Sequence, residues 1–258
     1  MTLIDKNLRF VVAAFALVVS LHAGKPKPPG APAVSREGEE DYLLGERFAD
    51  GNGVARNYIE AARYYRKAAR KGHIGAQYNL AWLLENGLGV KKDFQEAAVW
   101  YRKAAERGDA ESQNNLGTLY AAGSGVPQDD VEAVRWYGLA ARQDDPEALT
   151  NLATMYQQGR GVKRDASTAF QFCRRAAEAG HATAQHNLGL MYANGEGVAR
   201  DYVSAYAWWD LAAGEIVHAA SLRDRMAKEL TAGQLARARK LAAQRRERLN
   251  TKGKEHQR

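Results

Sequence analysis

The pattern that sets the architecture of this chain lies in residues 112–133, which read SQNNLGTLYAAGSGVPQDDVEA. Apolar residues at helical spacing lead to Gly123, and a glycine there can end a helix in the left-handed conformation without a Cβ clash. Asp129 and Glu132 follow as a capping box, which opens a second helix. The segment therefore predicts two helices joined by a Gly-x-Gly-Val loop.

The same pattern returns every 36 residues, five times and without a gap. We call the residues at one position of the unit, taken over the five copies, a column. Columns that carry the same residue in every copy include Leu44, Leu80, Leu116, Leu152 and Leu188; Gly51, Gly87, Gly123, Gly159 and Gly195; Gly53, Gly89, Gly125, Gly161 and Gly197; and Ala68, Ala104, Ala140, Ala176 and Ala212. Neither helix of a unit is long enough to bury its apolar stripe alone, so successive units must stack. The repeat therefore predicts an all-α solenoid of five 36-residue helix-turn-helix repeats with a C-terminal helical cap.

The repeat resembles the Sel-one-like repeat family, whose unit carries Leu-Gly, Tyr, Gly-x-Gly-Val and Asp in this order. The matching residues are Leu116, Gly117, Tyr120, Gly123, Gly125, Val126 and Asp129. The resemblance extends from Glu40 to Ala213, and it implies a right-handed superhelical solenoid of the tetratricopeptide-related kind, with the first helices on the concave face. It also implies signalling, envelope assembly or exopolysaccharide control as settings.

The first residues have the features of an export signal. Lys6 and Arg9 come before an apolar run of 12 residues, 10–21, and Ala23 provides a small residue for cleavage. The run is shorter than the roughly 20 residues that a membrane-spanning helix needs. Residues 1–23 are therefore predicted to be a signal peptide whose removal leaves a periplasmic or secreted protein, and an uncleaved N-terminal anchor is the alternative.

The remaining boundaries follow from composition and capping signals. Residues 24–38 are expected to form a linker, and residues 39–216 are expected to form the five repeats. Residues 217–250 are expected to form capping helices, because the terminal unit of a solenoid needs a cover. Residues 251–258 are expected to form a basic disordered tail.

Positive charge is concentrated at the C-terminal end. The net charge of the chain is +7, and residues 218–258 carry 12 Lys and Arg against 4 Asp and Glu, a net of +8. The basic side chains expected on one face of the last helix are Arg237, Arg239, Lys240, Arg245, Arg246 and Arg248. This face is expected to be a solvated cap surface, and the alternatives are a contact for an acidic protein or polysaccharide and a contact for an anionic membrane surface. No nucleic acid partner is expected outside the cytoplasm.

One stripe of the first helices varies between units while the core columns stay constant. On a helical wheel it faces away from the hairpin core, so we expect it to be the partner-binding surface, and a solvated helix face is the alternative. Its residues are Tyr42, Glu46, Tyr78, Trp82, Glu85, Asn114, Thr118, Thr150, Thr154, His186 and Leu190. Tyr78 and Trp82 are expected to be its main contacts, because exposed aromatic side chains favour interfaces.

The sequence has no pattern of a catalytic, cofactor or metal site. Asn79, Asn115, Asn151 and Asn187 recur in register, whereas a catalytic group is needed once, so we expect them to satisfy buried polar groups. Cys173 is the only cysteine, and it is expected to fill core space, since aromatic residues occupy its column elsewhere. We therefore expect no catalytic residue, no cofactor and no metal ion.

These features favour an exported protein–protein interaction scaffold, an adaptor or regulator whose partner is another protein. One alternative is a β-lactamase-like or cell-wall hydrolase, because some exported proteins with this type of repeat are described as β-lactamases. Those proteins carry a cysteine pair in each unit, which this chain lacks. The other alternative is a binder of polyanions or membrane surfaces through the basic C-terminal helix.

Overall fold

The computed structural model describes residues 38–255, with side chains to residue 251. The predicted signal peptide and all but the last residue of the predicted linker lie outside the described residues. Within residues 38–255 there are twelve α-helices and no strand. Their contacts divide this part of the chain into an N-terminal unit and a C-terminal unit.

The N-terminal unit, residues 38–145, contains the first three repeats. Its helices are α1 Glu39–Asp50, α2 Tyr58–Arg70, α3 Ile74–Asn86, α4 Phe94–Ala105, α5 Ala110–Ala122 and α6 Asp130–Ala141. Each helix packs on the next one along the chain. The core between them contains Tyr65, Leu80, Tyr101 and Leu116, which are all fully buried. The unit is therefore a stack of helical hairpins, as the repeat predicts.

The C-terminal unit, residues 146–255, contains the last two repeats and the cap. Its helices are α7 Pro146–Gln158, α8 Ala166–Glu178, α9 Ala182–Asn194, α10 Tyr202–Ala212, α11 Val217–Glu229 and α12 Ala232–Glu255. Both α11 and α12 pack against α10, and Leu222, Met226 and Ala238 are buried in the same cluster as Trp209. These two helices cover the last repeat, so the predicted helical solenoid with a C-terminal helical cap is confirmed.

The end of the chain differs from the prediction. Helix α12 continues through Glu255, so residues 251–255 are helical, and the expectation of disorder is wrong for them. The reason is composition, because Ala, Leu, Arg, Lys, Gln and Glu dominate this helix and all of them favour helical backbone. Although α12 is the longest helix, neither it nor any other helix among the described residues is both long and apolar enough to cross a membrane.

The helices begin and end where the capping residues predict. Asp129 accepts hydrogen bonds from the backbone N–H groups of Val131 at 2.9 Å and Glu132 at 3.0 Å. Gly123 ends α5 with a left-handed backbone, at a φ of 67°. The equivalent N-terminal caps are Asn57, Asp93, Asp165 and Asp201. Local sequence therefore sets the length of these helices.

The second glycine of the loop makes a contact that the sequence pattern does not show. A Cβ atom at Gly125 would overlap the backbone carbonyl group of Phe94, the first residue of α4 in the preceding repeat. The same contact recurs between Gly89 and Tyr58 and between Gly197 and Ala166. The Gly-x-Gly-Val loop therefore joins each of these repeats to the one before it, with backbone against backbone.

The recurring asparagines and the single cysteine lie inside the repeats. All four asparagines, Asn79, Asn115, Asn151 and Asn187, are buried. Cys173 is fully buried, and its thiol donates a hydrogen bond to the carbonyl oxygen of Ala184 at 3.3 Å. Burial raises the pKa of this thiol. Cys173 is therefore a core residue, as its column predicts.

Candidate functional site

The stripe that was predicted to bind a partner is mostly buried. Tyr78 and Trp82 are only 6% and 5% exposed, so they are not the exposed aromatic contacts that we expected. The other buried members are Tyr42, Asn114, Thr150, Thr154 and Leu190. The half-buried members are Glu46, Glu85, Thr118 and His186. The prediction of an exposed recognition surface along this stripe is therefore wrong.

The helical wheel failed because it treats one helix by itself. Within each unit, a first helix packs against the second helix of its own repeat and, where a repeat precedes it in that unit, also against the second helix of that repeat. Helix α3 contacts both α2 and α4, and α9 contacts both α8 and α10. The side of a first helix that faces away from its own hairpin is therefore covered by the neighbouring hairpin.

Polar residues of the stripe form hydrogen bonds within the repeats. The Tyr42 hydroxyl donates to Glu46 Oε1 at 2.6 Å, and the Tyr101 hydroxyl donates to Glu85 Oε2 at 2.7 Å. Burial raises the pKa of both the Tyr42 hydroxyl and the Glu46 carboxyl. The first bond lies within α1, and the second connects α4 to α3.

His186 is the stripe residue with an unusual ionisation. Its Nδ1 atom is buried and has no hydrogen-bond partner among the described residues. Burial, together with the His218 ring at a centroid distance of 5.4 Å, lowers the pKa of His186 to about 4. The ring is therefore neutral at pH 7.

We expect His186 to make the fold less stable in acid. In the unfolded chain its pKa is about 6.5, so below that pH the unfolded state binds a proton that the folded state does not. The free energy of unfolding should thus fall as the pH drops from about 6.5 to about 4. Urea unfolding at pH 7 and pH 5 measures this loss, which should be smaller in His186→Gln. An equal loss in the variant would assign the effect to other groups.

The basic side chains of α12 fall into three environments. Arg246 donates a hydrogen bond to Asp210 Oδ2 at 2.9 Å and so connects α12 to α10. Arg245 and Arg248 line a pocket. The exposed members outside this pocket are Arg237, Arg239 and Lys240. Only part of the predicted basic face is therefore a free solvated surface.

The pocket lies in the C-terminal unit, between α12 and the helices α8, α9 and α10, and its volume is about 470 Å³. Its polar wall consists of Arg174, Glu178, Gln244, Arg245 and Arg248. Its apolar wall consists of Tyr192, Trp208, Leu241 and Leu249. This volume is within the range of about 300–1,000 Å³ that is usual for ligand pockets.

Arg245 and Trp208 are the chemically distinctive pair in the pocket. The guanidinium carbon of Arg245 lies 4.1 Å from the centroid of the Trp208 ring, in a cation–π contact. Arg245 Nη1 and Trp208 Nε1 are both buried, and neither has a hydrogen-bond partner among the described residues. Burial lowers the pKa of Arg245, and the charge of Arg248 also acts to lower it. A buried cation without an ion pair is stabilised by an anionic group beside it.

Trp208 belongs to a repeated aromatic column that our sequence prediction missed. The column consists of Tyr64, Trp100, Trp136, Phe172 and Trp208, and its 36-residue period could have revealed it. Lys103 lies over Trp100 and Arg135 lies over Trp136, both at 4.3 Å and both from the same helix as their ring. Helix α10 has Ala207 and Leu211 at the equivalent positions. The cation over Trp208 therefore comes from α12.

A model of the Sel1 repeat family matches the chain five times. The matched residues are 41–73, 74–109, 110–145, 146–181 and 182–214. Together they cover more than half of the chain. No curated protein sequence matches it.

Solved structures give the same result. The structure of c5321, a protective antigen present in uropathogenic Escherichia coli strains and displaying an SLR fold, is 36% identical with a TM-score of 0.78, and the match covers 84% of this chain and 48% of that one. This chain therefore spans about half the length of c5321. A Sel1 repeat protein from Oxalobacter formigenes is 35% identical with a TM-score of 0.65, over 70% of this chain and 74% of that one. The immunity protein PA5088 from Pseudomonas aeruginosa is similar in fold alone, with 23% identity and a TM-score of 0.52 over 83% of this chain and 84% of that one.

The family matches and the helices agree in register. The second to fifth matches begin at Ile74, Ala110, Pro146 and Ala182, which are the first residues of α3, α5, α7 and α9. The resemblance that rested on the loop glycines and the capping residues is thus confirmed. The chain belongs to the Sel1 repeat family.

Proposed function

We propose that the protein is an exported adaptor that binds another protein, with the pocket beside α12 as one of its contacts. Sel1 repeats form a protein-interaction fold, and proteins of this family are generally non-catalytic scaffolds. The observation that carries the proposal is the Arg245–Trp208 pair, whose buried N–H groups have no acceptor among the described residues. Buried polar groups are normally hydrogen-bonded, so the unpaired Arg245 cation at this pocket supports the assignment of a ligand site.

Export is proposed from the N-terminal sequence. Residues 1–23 contain the basic start, the apolar run and the small residues of a signal peptide. The similar protein c5321 is a protective antigen, which supports a location that antibodies reach. We propose envelope signalling or exopolysaccharide control as the setting of the adaptor.

A protein partner is favoured over a polyanion because the basic face of α12 is partly engaged. Arg246 is paired with Asp210, and Arg245 lies over Trp208. A contact with a polymer of negative charges would depend on a row of exposed cations. The lining of the pocket, by contrast, contains both apolar and charged side chains, which a protein surface can match.

Fractionation and cross-linking of the tagged protein in its native cells test both parts of the proposal. We expect the protein in the envelope or extracellular fraction and a cross-linked protein partner in the same fraction. Recovery of this partner should fall about tenfold with Arg245→Gln, since loss of a buried charge contact costs at least that factor. Arg237→Gln, an exposed residue of the same helix, is the matched control and should leave recovery unchanged. A cytoplasmic protein, or equal recovery with all variants, would contradict the proposal.

A further inference from the structure

The charges that line the pocket beside α12 are not balanced. Glu178 is the one carboxylate among the described residues of its wall. Arg174 lies next to it, with 3.9 Å between Arg174 Nε and Glu178 Oε1. Arg245 and Arg248 line the same wall, and the described residues give neither of them an ion pair. The pocket therefore has two guanidinium groups in excess.

Two N–H donors in this wall also lack acceptors. They are Arg245 Nη1 and Trp208 Nε1. Both atoms lie below the pocket surface, so Arg245 Nη1 reaches a ligand only after its side chain rotates, and Trp208 Nε1 stays buried. Guanidinium and indole nitrogens donate hydrogen bonds and do not accept them. The group that completes the site must therefore supply acceptor oxygens, and a carboxylate supplies both the acceptors and the negative charge.

The pocket lining also has an apolar part, which sets a second requirement. Tyr192, Leu241 and Leu249 line it together with the ring of Trp208. A pocket of about 470 Å³ has room for an acidic side chain and an apolar neighbour at the same time. A peptide supplies both at once, because an acidic residue and an apolar residue can be neighbours in its sequence. The walls together therefore favour a peptide.

We propose that this pocket binds a carboxylate of an acidic peptide segment, with Arg245, which lies over the Trp208 ring, as the main cation. The proposal rests on the proposed function, because it names the chemistry of the protein partner at the same site. Arg248 adds charge at the rim, and Tyr192, Leu241 and Leu249 hold the apolar neighbour of the acidic residue. A side-chain rotation of Arg245 would turn Nη1 toward the bound oxygen atoms.

Fluorescence anisotropy with a labelled hexaglutamate amide tests the proposal on the purified chain. Hexaglutamine amide is the uncharged control peptide, and it should bind at least about tenfold more weakly. Hexaglutamine with a free C-terminal acid separates a terminal carboxylate from a side-chain carboxylate, and tight binding of either acid supports the proposal. Oligogalacturonate is the non-peptide probe. If oligogalacturonate bound as tightly as hexaglutamate, the peptide proposal would be overturned in favour of an acidic polysaccharide.

Two pocket variants and one control variant locate the binding site. Arg245→Gln should weaken hexaglutamate binding about tenfold or more, and Trp208→Phe, which keeps an aromatic ring but weakens the cation–π contact that positions Arg245, should weaken it less. Arg237→Gln should leave it unchanged. Equal weakening by Arg237→Gln and Arg245→Gln would show a diffuse charge effect and overturn the pocket. Circular dichroism of each variant establishes that it is folded. If Arg245→Gln were unfolded, a loss of hexaglutamate binding in Trp208→Phe but not in Arg237→Gln would locate the peptide at the pocket.

The outcomes also separate this proposal from the proposed function. If hexaglutamate bound and Arg245→Gln abolished binding, the pocket chemistry would stand even if no partner were recovered from native cells. If a partner were recovered and Arg245→Gln reduced its recovery while hexaglutamate did not bind, the adaptor function would stand and the carboxylate proposal would fall.

Discussion

Gly125→Ala should lower the free energy of unfolding by about 2–5 kcal/mol. The backbone φ of Gly125 is +72°, a left-handed conformation that costs an alanine about 1–2 kcal/mol. The added Cβ atom would also overlap the backbone carbonyl group of Phe94, which cannot rotate away as a side chain could. Overpacking of this kind typically costs a further 1–3 kcal/mol, roughly. Urea unfolding followed by far-ultraviolet circular dichroism measures the sum.

Gly108→Ala is the matched control for Gly125→Ala. Gly108 also has a left-handed backbone, with a φ of +93°, but a Cβ atom there would meet nothing within 4 Å. Its cost should be limited to the backbone conformation, about 1–2 kcal/mol. If the two substitutions had equal effects, the contact between the loop and the preceding helix would contribute nothing to stability.

Trp209→Ala should cost about 3–5 kcal/mol in the free energy of unfolding, the range for large aromatic residues in a core. Trp209 is 0% exposed, and its Nε1 donates a hydrogen bond to the carbonyl oxygen of His186 at 3.1 Å. Its ring fills the space beside Gly189, where a Cβ atom would clash with it. Truncation therefore leaves a cavity in the last repeat and removes one of the hydrogen bonds to this carbonyl group. The same urea unfolding assay measures the effect.

Val217→Ala is the control for Trp209→Ala in the same unit. Val217 is 86% exposed, so its truncation removes almost no buried surface, and its effect should stay within about 0.5 kcal/mol. A small effect of Trp209→Ala, close to that of Val217→Ala, would contradict the packing of α10 on α9.

The sequence predicts the helices because the signals that begin and end them are local. Asp129 needs only its own turn to cap α6, and Gly123 needs only its own backbone to end α5. Five registered copies of these signals then require stacking, because no single hairpin buries its apolar stripe. The fold class, the repeat boundaries and the capping residues are therefore readable without coordinates.

The candidate site was not predictable in the same way. Trp82 was expected to be exposed, because a single helix does not show which neighbour covers its outer side. The pairing of Arg245 with Trp208 depends on how α11 and α12 pack back on α10, and no local pattern encodes that packing. Only the charge of the last helix was visible in advance, and the prediction placed Arg245 on a solvated face with five other basic residues.

The contact between each loop and the helix before it has a consequence for how such a chain changes in evolution. The residue that receives the glycine is Tyr58, Phe94 or Ala166, two aromatic residues and an alanine, because only its main chain is used. The loop glycine of a new unit, inserted in register, could therefore pack on the backbone of whichever repeat comes before it. We infer that this contact allows whole units to be gained or lost without a matched substitution at the residue that receives the glycine.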